Sequence, residues 1–219
     1  MNKSTLVKDA LILTAITLVA GLLLGLVYGI TKEPIAVAQE NAKQASYSAV
    51  FAEADHFEEY EGFDADAAAA VLAGTADTVT TGNVGGALGD HNTIDSVMVA
   101  YSAANEALGY VITVTDNGGY GGELTFSVGI QTDGTVNGIA FTSLNETAGL
   151  GMKAKDEGFA SQFSGRVIAG DGLSVNKSGT AGDDEIAAIS GATITSSAVT
   201  SGVNAAVAYF RSVLGGVAS

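Results

Sequence analysis

The 219-residue sequence contains no cysteine. That excludes disulfides, cysteine-ligated iron–sulfur clusters, c-type haem attachment, a thiolate nucleophile and a lipobox. Only two histidines are present, His56 and His91, and neither stands in an HExxH pattern. No stretch has EF-hand spacing either, so no metal site is expected. Basic residues are also scarce: 9 Lys+Arg against 24 Asp+Glu give a formal charge of −15. Such a chain repels phosphate backbones and offers no basic groove, which excludes nucleic acid as a partner. What remains, with 47% hydrophobic residues and 29 glycines, suits one globular domain plus an appendage.

Charge is missing altogether from "ALILTAITLVAGLLLGLVYGIT", residues 10–31. As a helix this run is about 33 Å long, enough to cross a hydrocarbon core of about 30 Å. Lys3 and Lys8 precede it, so the positive-inside tendency places residues 1–9 in the cytoplasm and the rest outside, although Lys32 and Lys43 weaken the asymmetry. Two fates are open. The run exceeds the usual signal core of about 7–15 residues, which favours a retained anchor, whereas Ala36-Val37-Ala38 resembles a cleavage site. Gly21, Gly25 and Gly29 recur every fourth residue, a smooth stripe that suits a partner helix or simply reflects the tolerance of membrane helices for glycine.

Residues 32–66 read as a juxtamembrane helix after Pro34, with Ile35, Ala38, Ala42, Ala45 and Val50 near helical spacing, followed by the acidic run "EADHFEEYEGFDAD", a solvated surface. Residues 67–219 read as the domain. Its first part, to Asn92, is rich in Ala, Gly and Thr with weak periodicity and predicts loops and short elements. "SVMVAYSA" and "GYVITVTD" predict a hairpin turning between Asn105 and Leu108, and "GELTFSVGIQTDGTVNGIAFTSL" a second one turning at Asp133-Gly134. Between them, the glycines of "NGGYGGE" suit a flexible loop or a close backbone approach. After the sheet, Phe159 and Phe163 are four apart on a short helical piece. A last helix from about Thr195 carries Val199, Val203, Val207, Phe210 and Leu214 on one face and ends at Gly215-Gly216. Gly202 inside it is about 1 kcal/mol less favourable than alanine. The fold class is therefore α+β: a single N-terminal transmembrane helix, then an extracytoplasmic antiparallel-sheet domain with packed helices.

At the mouth of that last helix stands "ISGATITS", residues 189–196. A helix amino terminus offers unpaired N–H groups and partial positive charge, which favour a phosphate. Ser190, Thr193, Thr195 and Ser196 supply hydroxyls, and Gly191 and Ala192 keep bulk away from the backbone. The same composition also fits a plain helix start with Thr195 or Ser196 as the cap.

A second motif, "NETAGLG" at 145–151, lies earlier in the chain. Together with the amino-terminal apolar run and SGAT, it resembles the FMN-binding domain family of RnfG and NqrC, components of the Rnf and Nqr complexes, over essentially the whole chain. The resemblance implies FMN held covalently, by a phosphoester at the threonine that ends SGAT, here Thr193, with Ser190, Gly191, Ala192 and Thr195 around the phosphate. It implies further that Glu146, Thr147, Gly149, Leu150 and Gly151 lie against the flavin. Lys153 is close enough in sequence for a polar contact. Two positions depart from the family pattern. Ala148 replaces a usual proline, which removes a fixed φ. Ala187 replaces a usual aspartate six residues before the threonine, part of the pattern read by the flavin-attaching transferase, for which Asp184 or Glu185 are the nearby substitutes.

By this resemblance the chain is an electron-relay subunit of a translocating oxidoreductase rather than a complete enzyme. It is most like RnfG, in a membrane complex that passes electrons between ferredoxin and NAD with ion movement. Its partners would be the complex's other membrane and peripheral subunits and membrane lipid. NqrC, in a sodium-translocating NADH:quinone reductase, is the related alternative. An anchored, non-redox surface-binding domain is the alternative from another class.

Overall fold

The computed structural model describes residues 3–168, 170, 172–179 and 181–215, with side chains from residue 7. Met1 and Asn2 of the predicted cytoplasmic segment and Gly216 of the predicted helix end lie outside the described residues. The chain divides into two compact units, Met1–Ala42 and Lys43–Ser219.

The described part of the first unit is helical and belongs to α1 (Lys3–Val50). The sequence predicts one helix ending at 31 and another after Pro34, yet Pro34 lies inside a single helix. Proline fixes a helical φ and removes one N–H, at a cost of about 3 kcal/mol, so the helix can continue past it. From Val7 onward α1 is long and apolar enough to cross a membrane, and none of its most apolar window is buried.

The second unit begins at Lys43 rather than at residue 67, because the end of α1 and the acidic segment are built into the domain. Tyr47, Val50 and Phe51 are buried against Ala100 and Val111 on one face of the sheet. The Ser46 and Ser127 hydroxyls meet at 2.9 Å. Gly129 admits this seating, since a Cβ there would lie 2.8 Å from the Val50 Cβ. Within the acidic run, β1 (His56–Glu59) pairs at the sheet edge and exposes Glu58 and Glu59. Exposed charge on an edge strand discourages further strand pairing.

One of the short elements in the alanine-rich stretch is a helix, α2 (Ala65–Ala73). Asp64 caps it, accepting the N–H groups of Asp66 and Ala67 at 2.8 and 3.0 Å. Alanine is the best helix former but gives little apolar contrast, so the periodicity is faint although the propensity is high.

The predicted hairpins form as expected. β2 (Asn92–Tyr101) and β3 (Ala107–Asp116) pair antiparallel through a turn in which Asn105 takes φ 60°. β4 (Leu124–Gln131) and β5 (Thr135–Leu144) pair through Asp133-Gly134, with Gly134 at φ 88°. The short α3 (Glu157–Ala160) brings Phe159 and Phe163 together at 5.5 Å between ring centroids, both buried. The two-residue β6 (Arg166–Val167) completes a six-stranded sheet in the order β1-β2-β3-β4-β5-β6. β7 (Ser174–Asn176) and β8 (Glu185–Ala187) form a separate parallel pair, and α4 (Thr193–Val213) closes the fold.

α4 begins before Thr195 and departs from its predicted amphipathic character: every residue from Thr195 to Val207 is buried. The sheet covers it on one side, where Gly202 lets the backbone approach; a Cβ there would be 2.6 Å from Phe126 Cζ. The polar residues of α4 pair with the segment around 77–92 and with Leu173. Ser201 donates to Asp77 at 2.7 Å and accepts from Asn92 at 2.8 Å, and Asn204 accepts from the Leu173 N–H at 2.8 Å. These bonds make burial of a polar helix face tolerable, because a buried polar group without a partner costs about 1–3 kcal/mol.

Candidate functional site

The start of α4 and the loop after β5 enclose a cavity of about 480 Å³. Ligand pockets of roughly 300–1,000 Å³ are usual. From the helix side it is lined by Gly191, Ala192, Thr193, Ile194 and Thr195; from the loop side by Glu146, Thr147, Leu150 and Gly151; Tyr120 completes it.

The helix mouth is held open. Gly191 turns the chain with φ 77°, and the Ala192 N–H bonds the Ile189 carbonyl at 2.9 Å. The Ser196 hydroxyl accepts from the Ile189 N–H and donates to the Ala192 carbonyl, both at 2.9 Å. Ser196 therefore braces the turn and caps nothing. Ala192 is the N-cap and makes no side-chain cap bond. The first-turn N–H groups, which have no intrahelical acceptors, are left for whatever fills the cavity. Thr195 is no cap either: it is 1% exposed and its hydroxyl has no partner.

Opposite the turn, Glu146 Oε1 accepts the Tyr120 N–H at 2.9 Å, while Oε2 is buried without a partner. Gly151 lies between the two orphaned oxygens: a Cβ on it would stand 2.6 Å from both Glu146 Oε2 and Thr195 Oγ1. Two unpartnered buried oxygens, uncapped helix N–H groups and a floor kept clear by glycine fit a ligand with both an anionic group and a polar framework. A second cavity, about 350 Å³ beside Asn204 and Arg211, has no orphaned polar atom among its described residues.

Most of the predicted site residues thus converge, with three exceptions. Ser190 and Lys153 are exposed and do not line the cavity; Gly149, also exposed, serves the loop turn with φ 77°. Two lining residues, Tyr120 and Ile194, were not singled out from the sequence. The signal for Tyr120 was an aromatic residue flanked by glycine pairs. Those glycines are a close backbone approach: a Cβ at Gly121 would collide with the Asn145 carbonyl, and one at Gly119 with the Gly122 carbonyl. Upstream of the turn, Ala187 sits in β8, its N–H donating to Gln162 Oε1 at 2.8 Å and its carbonyl accepting from Gln162 Nε2 at 3.2 Å. Glu185 is occupied by Asn176 and the Gly182 N–H.

The Tyr120 loop hangs from Asp116, which is fully buried and accepts the Gly118 N–H at 2.7 Å. Burial pushes its carboxyl up to about 7, with the Asp77 charge adding to the rise and the Gly118 N–H opposing it. A carboxyl raised in the folded state stabilises the fold below its unfolded value of 3.8, and this contribution is lost as pH rises through about 7. Asp116→Asn keeps the acceptor and cannot ionise. The variant is expected to be the more stable at pH 8 by a few kcal/mol, at about 1.4 kcal/mol per pKa unit, and to match wild type near pH 4. Urea midpoints across that range check this; parallel curves would contradict it.

Residues 119–208 match the family model for the FMN-binding domain, and residues 1–50 that for the RnfG N-terminal region. The G subunit of the sodium-translocating ferredoxin:NAD oxidoreductase complex of Acetobacterium woodii is 39% identical over 108 residues, 49% of this chain and 52% of that protein. The G subunit of the proton-translocating ferredoxin:NAD oxidoreductase complex of Clostridium ljungdahlii is 39% identical over 119 residues, 53% of this chain and 61% of that protein. The aligned part thus spans about half to three-fifths of these relatives. Among solved structures, the C subunit of the sodium-translocating NADH-quinone reductase of Parabacteroides distasonis is 27% identical with a TM-score of 0.43, over 53% of this chain and 61% of that one.

Proposed function

From a chain that carries an FMN-binding domain behind an RnfG N-terminal region, we propose a membrane-anchored electron-relay subunit of an Rnf-type, ion-translocating ferredoxin:NAD oxidoreductase complex. The cavity between the α4 mouth and the 145–151 loop is its FMN site. The observation that carries this reading is the pair of buried, unpartnered oxygens on Thr195 and Glu146 beside the uncapped helix start, inside the matched domain. A domain of this type with nothing to bind would leave those groups unsatisfied, contrary to the general rule for buried polar atoms.

FMN, when bound, supplies reversible acceptance of one or two electrons. The chain supplies position. The first-turn N–H groups and positive end of α4 receive the phosphate, and the half-buried Thr193 offers the hydroxyl for a phosphoester to it. Thr195 and Glu146 bond polar flavin atoms, and Leu150, 41% exposed at the cavity mouth, gives an apolar contact. Covalent attachment holds the cofactor on the outer side of the membrane, with α1 as a retained anchor and residues 1–9 in the cytoplasm. The complex's other subunits deliver and remove the electrons. The RnfG-type amino terminus favours this complex over an NADH:quinone reductase.

Membranes from the native host lacking this chain are expected to lose reduced-ferredoxin-dependent NAD reduction to background. Re-supplied wild-type protein should restore it, and Thr193→Val should not. Undiminished ferredoxin-dependent activity in the deletion would contradict the assignment, and loss of NADH:quinone activity instead would move the chain to the other complex.

A further inference from the structure

In the second unit, three large apolar side chains are strongly exposed among the described residues: Tyr120 at 69%, Val167 at 64% and Leu150 at 41%. Two of these, Tyr120 and Leu150, line the same cavity. Val167 sits apart, on the β6 edge. An exposed aromatic ring on a mobile loop would carry little meaning, but this ring stands on a fixed one. Its own N–H is taken by Glu146 Oε1 at 2.9 Å, the loop base is tied to Asp116 through Gly118, and Gly119 and Gly121 admit backbone contacts that no larger residue would permit. Glu146 thus joins the two loops that border the cavity, with one oxygen on the Tyr120 backbone and the other left buried and unpartnered beside Gly151. A phenol with most of its surface in solvent, carried on a backbone held in this way, gains by covering a flat aromatic partner, because stacked rings remove apolar area and add a favourable ring–ring term.

We propose that Tyr120 is a ring-contacting residue of the flavin site: its phenol packs on the isoalloxazine at the cavity mouth, and Glu146 is the positioning residue that sets it there. The inference rests on the FMN reading and goes beyond it, since FMN could occupy the cavity through its phosphate and ribityl chain alone. A phenol in contact with a flavin quenches the flavin's emission: an electron passes to the excited ring and returns, so nothing is oxidised on balance. Tryptophan does the same, and leucine does not.

The test uses the full-length, flavin-loaded protein in detergent, with bound flavin counted by absorbance. Tyr120→Leu is expected to raise emission several-fold per bound flavin and to lengthen its lifetime. Tyr120→Trp should stay as dim as wild type, a rescue that a merely structural role for Tyr120 would not give. Equal emission from wild type and Tyr120→Leu at equal flavin content overturns the role of Tyr120 and leaves the FMN reading standing. A wild-type protein from its native host without flavin overturns both. Should Tyr120→Leu fold poorly, Glu146→Gln tests the same arrangement. It keeps an acceptor for the Tyr120 N–H, so emission per flavin that remains bound should stay below that of Glu146→Ala; equal emission per bound flavin from these two variants overturns the positioning role.

Discussion

Thr193→Val is expected to remove the covalent flavin completely. Valine keeps the β-branched shape of threonine, so the start of α4 should be undisturbed, but it has no hydroxyl from which a phosphoester can form. The prediction rests on the proposal that, among the hydroxyl residues at the mouth of α4, Thr193 is the one that carries the flavin. Thr193 is half-buried and lines the cavity; Thr195, two residues on, lines it too but is 1% exposed. Ser190 is exposed and outside the cavity lining, and the Ser196 hydroxyl is used twice in bracing the turn. The measurement is in-gel flavin fluorescence of denatured protein: bright for wild type and Thr193→Ser, absent for Thr193→Val. Fluorescence surviving in the valine variant would mean that another residue carries the flavin.

The second large effect is expected at Gly151. This glycine sits where a Cβ would stand 2.6 Å from Thr195 Oγ1, 2.6 Å from Glu146 Oε2 and 2.8 Å from Glu146 Cβ. Thr195 is buried and Glu146 is tied to the Tyr120 N–H, so an alanine must displace at least one of them. Overpacking of this kind costs about 1–3 kcal/mol, and here the strain falls on the two oxygens assigned to the ligand. Gly151→Ala should therefore lower flavin loading several-fold, counted as flavin absorbance per protein, while the fold is retained. The control is Gly149→Ala, in the same loop but outside the cavity lining: its φ of 77° should make it destabilising without a matching loss of flavin. Equal loading in Gly151→Ala and wild type would mean that the cavity floor is not the flavin site.

Much of this arrangement could be read from the sequence where the local chemistry left few choices. Asp133-Gly134 demanded a tight turn, and the strands on either side pair as their alternation indicates. The spacing of Val199, Val203, Val207 and Phe210 marked a buried helix face. The two glycine motifs could be joined into one site only through a family resemblance, since nothing local reveals that residues 145–151 and 190–195 meet across a cavity.

What escaped depended on long-range packing. The spacing marks only one buried face of α4, yet Asp77, Asn92 and Leu173, all distant in sequence, bury its polar side too by pairing with Ser201 and Asn204. Gly202, unfavourable in a helix taken alone, is where Phe126 packs against the backbone. Thr195 and Ser196 were equivalent candidates for a cap, and composition cannot distinguish a hydroxyl that braces a turn from one left without a partner. Structure separates them: Ser196 is satisfied and Thr195 is not. Ala187 remains the departure with the most consequence, because its backbone is fixed by Gln162 and Glu185 is already engaged, so a shift of register that brought an acidic side chain into that place would break both sets of bonds.

The most direct test is tandem mass spectrometry of the protein purified from its native host, on the proteolytic peptide that contains residues 189–196. The expected result is that peptide heavier by one FMN less one water, with fragment ions placing the addition on Thr193. An unmodified peptide in a preparation with its cofactor retained, or an addition on any other residue, would contradict covalent attachment at the mouth of α4.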